Sequence, residues 1–345
     1  MLVKLDEFVA ALGRVKPALS AGAKIAELSH IWFTDDAIYA YDGGFGIEFS
    51  HKTELSCGVP GIPLIELLGT TALKEAKLEL KGAALQVSLG KSHSKLAAFE
   101  ADRRIWGFPR KPAKGKPLAL GEDFVEALRR TLMVKARVAT RVEHHGVMLQ
   151  PDTKASKLYL YSTDSATIAE AIVDVATTAF DRVILPLDFA AQIETQSPQG
   201  IDLYVLPDCI IAQGTGITFY SNLLDASGSD DMGAIIERKA ENHPDPLPLP
   251  AGLAAALSRA EILAGREEPN ITLSVEKGAL TITGDYAMGS LNEILKLEGK
   301  PPEARMRIRA ELLKRALPYV EEFSLTNDSM LLLGEPGFTY VIAGL

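Results

Sequence analysis

One short segment of this sequence occurs three times, and its spacing divides the chain into thirds. The segment FVAAL at residues 8–12 returns as FVEAL at 124–128 and, less well preserved, as LAAAL at 253–257. Each copy lies in a stretch with the spacing of an amphipathic helix, and about a hundred residues of strand-like sequence follow it. A unit repeated at this period predicts three similar domains, which favours rings and scaffolds over a single buried catalytic pocket.

Each third has the same order of elements, two helices alternating with short strands, and this predicts an α+β fold with antiparallel sheets. Proline-rich connectors at residues 109–117 and 241–250 separate the thirds. The predicted domains are therefore 1–113, 117–242 and 249–345. Predicted helices cover 61–74, 122–134, 187–195, 251–260 and 310–321, in addition to the one that begins near Leu5.

Composition places the chain among globular proteins of a reducing compartment. It is 47% hydrophobic and 23% charged, which supplies ample core material for 345 residues. No apolar run approaches the roughly 18 residues of a membrane-spanning helix, and the N-terminus lacks the pattern of a signal peptide. Cys57 and Cys209 lie far apart in the sequence, so no disulfide framework is expected. These features predict a cytoplasmic protein without a membrane partner.

The net charge of −9 argues against a protein that coats nucleic acid with its whole surface. It leaves open a protein that keeps positive charge on one restricted surface. The distribution of Lys and Arg therefore decides whether DNA is a plausible partner.

Several segments resemble the bacterial DNA polymerase III beta subunit, the sliding clamp. SRAEILA at 258–264, ITLSV at 271–275 and GALTIT at 278–283 resemble the opening of that family's third domain. LYLYSTD at 158–164 resembles a second-domain strand that ends in a Thr-Asp turn, and TYVIAGL at 339–345 resembles the family's last strand and tail. The extent of divergence is more like that of a phage or plasmid clamp than of a housekeeping one.

The resemblance implies the DNA clamp fold: three tandem domains, each with two helices packed on antiparallel sheets, that assemble into a closed ring. It implies a head-to-tail homodimer that encircles double-stranded DNA without sequence specificity and tethers a DNA polymerase, with a clamp loader as a further partner. The sequence contains no metal-ligand spacing, phosphate loop or dinucleotide motif, so no catalytic residue, metal or cofactor is expected.

Helical spacing assigns some basic residues to faces opposite the apolar stripes, where a ring would hold DNA. Each of them also has the ordinary interpretation of a solubilising surface residue, and Glu126 and Glu311 dilute the positive charge. The candidates for contact with DNA are Lys16, Lys24, Arg130, Arg137, Arg141, Arg259, Lys314 and Arg315.

The family's dimer interface, carried over by position, falls on Leu96 and Ala98 at one edge and on Ile262 and Leu263 at the other. The sequence places Ile262 and Leu263 just past a helix, where an apolar pair would be exposed in a monomer. The alternative is an ordinary contact at a helix end inside the domain.

Partners of such clamps insert a short apolar peptide between the second and third domains. Two departures stand out: Ser165-Ala166-Thr167-Ile168 replaces the family's Gly-His-Arg-Leu, and the tail is shorter. For Ile168 and Val341 the alternative is plain sheet core. The positions that match the family's groove are His144, Thr163, Ser165, Ala166, Thr167, Ile168, Ile235, Ile236, Val341, Ile342 and Leu345.

Two other classes of function remain open. An enzyme would need a site assembled from distant residues, because the adjacent His144 and His145 have no metal-ligand spacing around them and point to opposite faces if they lie on a strand. A three-domain adaptor that binds proteins without encircling DNA is the second class.

Overall fold

A computed structural model describes residues 1–20, 25–100, 117–134, 141–176, 180–265, 267–299 and 301–345. Lys24 and Arg137, two of the predicted DNA-facing residues, and nearly all of the first connector lie outside these ranges. The helices in the described ranges are α1 (Leu5–Val15), α2 (Gly61–Gly69), α3 (Glu122–Leu132), α4 (Leu187–Gln196), α5 (Met232–Glu241), α6 (Leu253–Ala264) and α7 (Ala310–Ala316).

The strands are short and lie mostly in hairpins, as expected for a chain with frequent Gly and Asp turns. They are β1 (Leu2–Lys4), β2 (His30–Phe33), β3 (Ala37–Tyr41), β4 (Phe45–Ser50), β5 (Cys57–Pro60), β6 (Glu75–Lys81), β7 (Ala84–Leu89), β8 (Ser92–Ala97), β9 (Phe99–Glu100), β10 (Leu118–Leu120), β11 (Gly146–Asp152), β12 (Lys157–Thr163), β13 (Thr167–Asp174), β14 (Val183–Pro186), β15 (Ile201–Val205), β16 (Cys209–Gly214), β17 (Ile217–Asn222), β18 (Leu247–Pro248), β19 (Asn270–Glu276), β20 (Ala279–Tyr286), β21 (Gly289–Lys296), β22 (Ala304–Arg309), β23 (Glu322–Leu325), β24 (Ser329–Gly334) and β25 (Phe338–Ala343).

By its contacts the chain forms two compact units, Met1–Val125 with Asp188–Leu223, and Glu126–Leu187 with Leu224–Leu345. The first unit has a four-stranded sheet, ordered β1-β6-β7-β8, and a nine-stranded sheet, ordered β10-β15-β16-β17-β4-β3-β2-β5-β9. Phe8 and Leu12 of α1 are buried, and Phe8 stacks on Phe33 of β2 with ring centres 6.0 Å apart. The apolar spacing noted at residues 8–12 is therefore the core-facing stripe of α1.

The second unit also has two sheets. One has four strands, ordered β21-β20-β19-β22, and the other has eight, ordered β14-β11-β12-β13-β25-β24-β23-β18. The larger sheet joins strands of the predicted second and third domains, because β13 pairs with β25 and places Ile168 opposite Val341. This continuous sheet brings residues distant in the sequence to one surface.

The α+β class and the antiparallel sheets are confirmed. Helix α7 is shorter than predicted, because Pro318 lies in a 3-10 turn at Leu317–Tyr319 that follows it. Helix α6 is longer and ends before Gly265, which has a φ of +68°. Ile262 and Leu263 consequently lie in its last turn and not beyond it.

Helix α5 was missed by the sequence analysis. Its signals are nevertheless present: Asp231 caps it by accepting a hydrogen bond from the backbone N–H of Ala234, and Met232, Ile235 and Ile236 have helical spacing. The neighbouring proline-rich stretch obscured this short helix. None of the helices in the described ranges has the length and apolarity that a bilayer crossing requires.

Candidate functional site

The turn between β12 and β13 is built by one carboxylate. Asp164 Oδ1 accepts hydrogen bonds from the backbone N–H groups of Ala166 (3.1 Å) and Thr167 (2.8 Å) and from the Thr167 hydroxyl (2.7 Å). Ser165 at the tip has a φ of +71°, a conformation that costs an L-residue about 1 kcal/mol or more. The likeness of residues 158–164 to a clamp strand predicted this Thr-Asp turn, and Asp commonly bonds its own turn in this way.

Arg315 of α7 also holds this turn in place. Its Nη2 lies 2.6 Å from Asp164 Oδ2 and 3.1 Å from Thr167 Oγ1, and its Nε donates to Tyr340 Oη at 2.9 Å. Burial opposes ionisation of Asp164, but the hydrogen bonds and charge of Arg315 and Thr167 together outweigh it and hold its pKa below the usual value. The ion pair is therefore part of the scaffold that positions the turn.

His144 forms the next part of the wall. Its side chain is buried, Nε2 lies 3.1 Å from Ser165 Oγ, and Nδ1 has no hydrogen-bond partner among the described residues. The neighbouring Glu143 is also buried, and its carboxylate lies 3.5 Å from Arg141.

Helix α5 supplies the opposite wall, with Met232, Ile235 and Lys239 on one face. Lys239 Nζ lies 2.6 Å from Asp328 Oδ2, which ties the helix to the turn before β24. Beneath them lies an apolar cluster that includes Met148, Tyr161, Met232, Ile236, Leu331 and Val341.

Together these elements enclose a cavity of about 330 Å³ within the second unit. Its walls are largely apolar, with charged side chains at one end, so its chemistry suits a short apolar segment with a polar flank. The residues that line it are Arg141, Glu143, His144, Thr163, Ser165, Ala166, Thr167, Ile168, Asp230, Met232, Ile235, Lys239, Val341 and Ala343. We call this cavity the groove.

The groove contains most of the residues predicted for it, namely His144, Thr163, Ser165, Ala166, Thr167, Ile168, Ile235 and Val341. Ile236 lies under the groove in the apolar cluster, and Ile342 is fully buried on the other side of its strand. Leu345 lies elsewhere, because its backbone N–H donates to the carbonyl of Arg307. The groove is also lined by residues that were not predicted for it, namely Met232, Lys239, Glu143, Asp230 and Ala343, and by Arg141, which was predicted to contact DNA.

The predicted DNA-facing residues are found in three settings. Lys16 is exposed, and Arg141, Arg259 and Lys314 are exposed but each paired with a carboxylate, that of Asp230, Glu293 and Glu261 respectively. The other two described candidates, Arg130 and Arg315, are largely inside the protein.

Arg130 contradicts the helical-wheel placement on an outer face. Its side chain is only 14% exposed, it bonds Glu126 and the carbonyl of Glu335, and its guanidinium lies over the ring of Phe338. The exposed member of the pair is Arg129. Arg315 is likewise 18% exposed, because it pairs with Asp164.

The described helices are acidic overall. Acidic residues outnumber basic ones across α1–α7, because first turns carry Asp6, Glu7, Glu122 and Asp123, where carboxylates stabilise the helix dipole. The described helices therefore carry no overall excess of positive charge, and a basic face towards DNA stays a prediction.

The residues predicted for the dimer interface lie on or near edge strands of the two four-stranded sheets. Leu96 is on β8, an edge strand, and is half-buried, whereas Ala98 is already buried within its own unit. Ile262 is 69% exposed, with Met288 and Ile294 also exposed on or next to edge strand β21. Within the described ranges, no group of three or more His, Cys, Asp or Glu side chains could hold a metal ion.

The chain has the fold of a DNA sliding clamp over its full length. Among solved structures it is similar to the Bacillus subtilis DNA polymerase sliding clamp (TM-score 0.84, 16% identity), covering all of this chain and 98% of that one. The Helicobacter pylori beta clamp bound to a DNA ligase peptide gives a TM-score of 0.85 at 17% identity, and Caulobacter crescentus pol III beta 0.84 at 19%. Each covers all of this chain and 99% of the other. No protein-family profile and no curated protein sequence matches the chain.

Proposed function

We propose that this protein is a processivity factor: a homodimeric ring that encircles duplex DNA, slides without sequence specificity and tethers a DNA polymerase through the groove. The observation that carries the proposal is the similarity in fold to sliding clamps along the entire chain, at TM-scores of 0.82 to 0.85. A structure assembled to hold partners on DNA needs no catalytic residue of its own. A cytoplasmic setting and a clamp loader as a further partner belong to the same proposal, and the low identity and altered turn at Ser165 favour a phage- or plasmid-type clamp.

The two four-stranded sheets support a head-to-tail dimer. Each ends in a polar-and-apolar edge strand, β8 in the first unit and β21 in the second. Pairing β8 of one copy with β21 of another would build an eight-stranded sheet, and the exposed Ile262, Met288 and Ile294 supply apolar surface beside it. Two such contacts between different surfaces close a ring if the rotation matches.

Replacing Ile262 and Ile294 by Ala tests this interface, because each removes an exposed side chain that would be buried by association, about 1.5–3 kcal/mol apiece. Sedimentation should show a monomer for the double variant and a dimer for the parent. The matched control is Leu80→Ala, another exposed apolar residue on a strand of the first unit's small sheet. A dimer of unchanged affinity in the double variant would contradict the interface.

Encirclement is tested on nicked circular DNA, with and without a bacterial clamp loader and ATP. A ring stays on the circle through a high-salt wash and leaves when the circle is linearised, because its retention is topological. A protein held by ionic contacts is removed by salt and does not respond to linearisation.

A protein-binding adaptor that does not encircle DNA is the second candidate. The acidic balance of the helices and the burial of Arg130 and Arg315 favour it. Such an adaptor would bind peptides at the groove and show no retention on circular DNA.

A further inference from the structure

The charged end of the groove differs in character from its apolar floor. Arg141, Glu143 and Asp230 line both the groove and an adjoining polar cavity, which Asp225 also lines. These two cavities therefore form one continuous surface that is apolar at one end and acidic at the other.

The carboxylates at this end outnumber the cations available to them. Arg141 is shared, since its Nη1 bonds Asp230 and lies 3.5 Å from Glu143. Lys239, the other lining cation, is already bound to Asp328 at 2.6 Å. Hydrogen bonds from Ser227 hold the pKa of Asp225 below its usual value, so its charge persists at neutral pH. Among the lining residues the balance is negative.

The acidic loop has a fixed shape. Arg182 donates to the carbonyl oxygens of Ala226, Ser229 and Asp230. Its charge is therefore directed at the loop's backbone, while the carboxylates of Asp225 and Asp230 remain at the surface. A prearranged set of carboxylates loses little entropy when it binds a cation.

His144 contributes a polar side chain to the wall of the groove. It lines the groove, it is 5% exposed, and its Nδ1 has no hydrogen-bond partner in the part of the chain that the structure describes. Its other ring nitrogen, Nε2, lies 3.1 Å from Ser165 Oγ, so the imidazole is held against the tip of the β12–β13 turn.

We infer that the groove selects a linear peptide from a partner protein in which apolar anchor residues are followed or preceded by a Lys or Arg. The apolar anchors occupy the floor between Ile168, Met232 and Val341. The cationic side chain lies against the exposed carboxylates of Asp225 and Asp230. This inference rests on the proposed peptide-binding role of the groove and adds the charge of the partner.

The test uses fluorescent synthetic peptides with identical Leu and Phe anchors that differ only in flanking residues: Lys, Ser or Glu, placed on either side. Fluorescence anisotropy is measured with the full chain. The Lys peptide should bind about fivefold or more tighter than the Glu peptide, and the preference should shrink at high salt because exposed charges are screened.

Asp225→Asn and Asp230→Asn should each reduce the ratio of Lys-peptide to Glu-peptide affinity, and circular dichroism shows whether each variant is folded. Asp285→Asn is the matched control: it removes one exposed carboxylate from a different surface of the same unit and should keep the preference.

The inference would be overturned by equal affinity for the three peptides, by a preference for the Glu peptide, or by a Lys preference that survives both variants. None of these results would contradict peptide binding at the groove. Failure of every peptide to bind would overturn both the inference and the groove. Retention on circular DNA is measured separately, so a failed ring and a failed charge preference are distinguishable.

Discussion

Replacing Arg315 by Met tests whether this residue is a structural anchor or a DNA contact. The side chain of Arg315 is 18% exposed, and the carboxylate that it would leave behind, Asp164, is 7% exposed. Removing one partner of a buried pair costs about 3–5 kcal/mol. Because some solvent reaches Arg315, we expect the lower end, about 3 kcal/mol, with the hydrogen bond to Tyr340 lost as well.

The matched control is the adjacent Lys314→Met. Lys314 is 44% exposed and pairs with Glu261 at the surface, so its removal should cost about 1 kcal/mol or less. Urea denaturation followed by circular dichroism gives both values. Hydrogen exchange should report faster opening at the β12–β13 turn and at β25 in the Arg315 variant alone, and binding of the groove peptides should weaken with it.

The pH dependence of stability gives a second test of the ion pair between Arg315 and Asp164. The pKa of Asp164 is lowered in the folded protein, so its contribution is present above the unfolded value of about 4 and is lost as pH falls through the folded one. Below pH 4 the parent should therefore lose stability faster than Arg315→Met. In that variant no guanidinium opposes the effect of burial, so the pKa of Asp164 is no longer lowered by Arg315. The anchoring role would be refuted if the Arg315 and Lys314 variants lost equal free energy of unfolding. It would also be refuted if the loss of stability below pH 4 were the same in Arg315→Met as in the parent.

Three further predictions follow from local geometry. Gly334→Ala should destabilise the protein by about 2 kcal/mol or more in thermal denaturation, because an added Cβ would meet the backbone carbonyl of Tyr319, whereas Gly69→Ala, with open space around it, should not; equal effects would exclude this steric cause. Asp231→Ala should lower the free energy of unfolding by about 1 kcal/mol and weaken peptide binding, since it removes the N-cap of α5. Unchanged peptide affinity would show that the cap does not contribute to the groove. Lys277→Asn should stabilise by a few tenths of a kcal/mol because Lys277 has a φ of +50°, which Asn tolerates better; a lower melting temperature would contradict this.

Local patterns in the sequence determined much of this protein. The threefold segment beginning at Phe8, Phe124 and Leu253 specified helices whose apolar stripes are buried, since helical spacing depends only on neighbours along the chain. The Thr163-Asp164 turn was predicted from the likeness of residues 158–164 to clamps, and short-range hydrogen bonds to one carboxylate build it. Most of the groove residues were also found, through the likeness of their segments to sliding clamps.

Only the tertiary structure decided which charged residues are at the surface and which are inside. Helical periodicity put Arg130 and Arg315 on outer faces. In the structure Arg130 lies over the ring of Phe338 and Arg315 pairs with Asp164, and both partners are distant in the sequence. The pairing of β13 with β25, which sets Ile168 beside Val341, joins parts of the chain far apart in sequence. Periodicity records which face of an element is apolar, whereas long-range contacts determine what lies against the other face, and no local pattern contains that information.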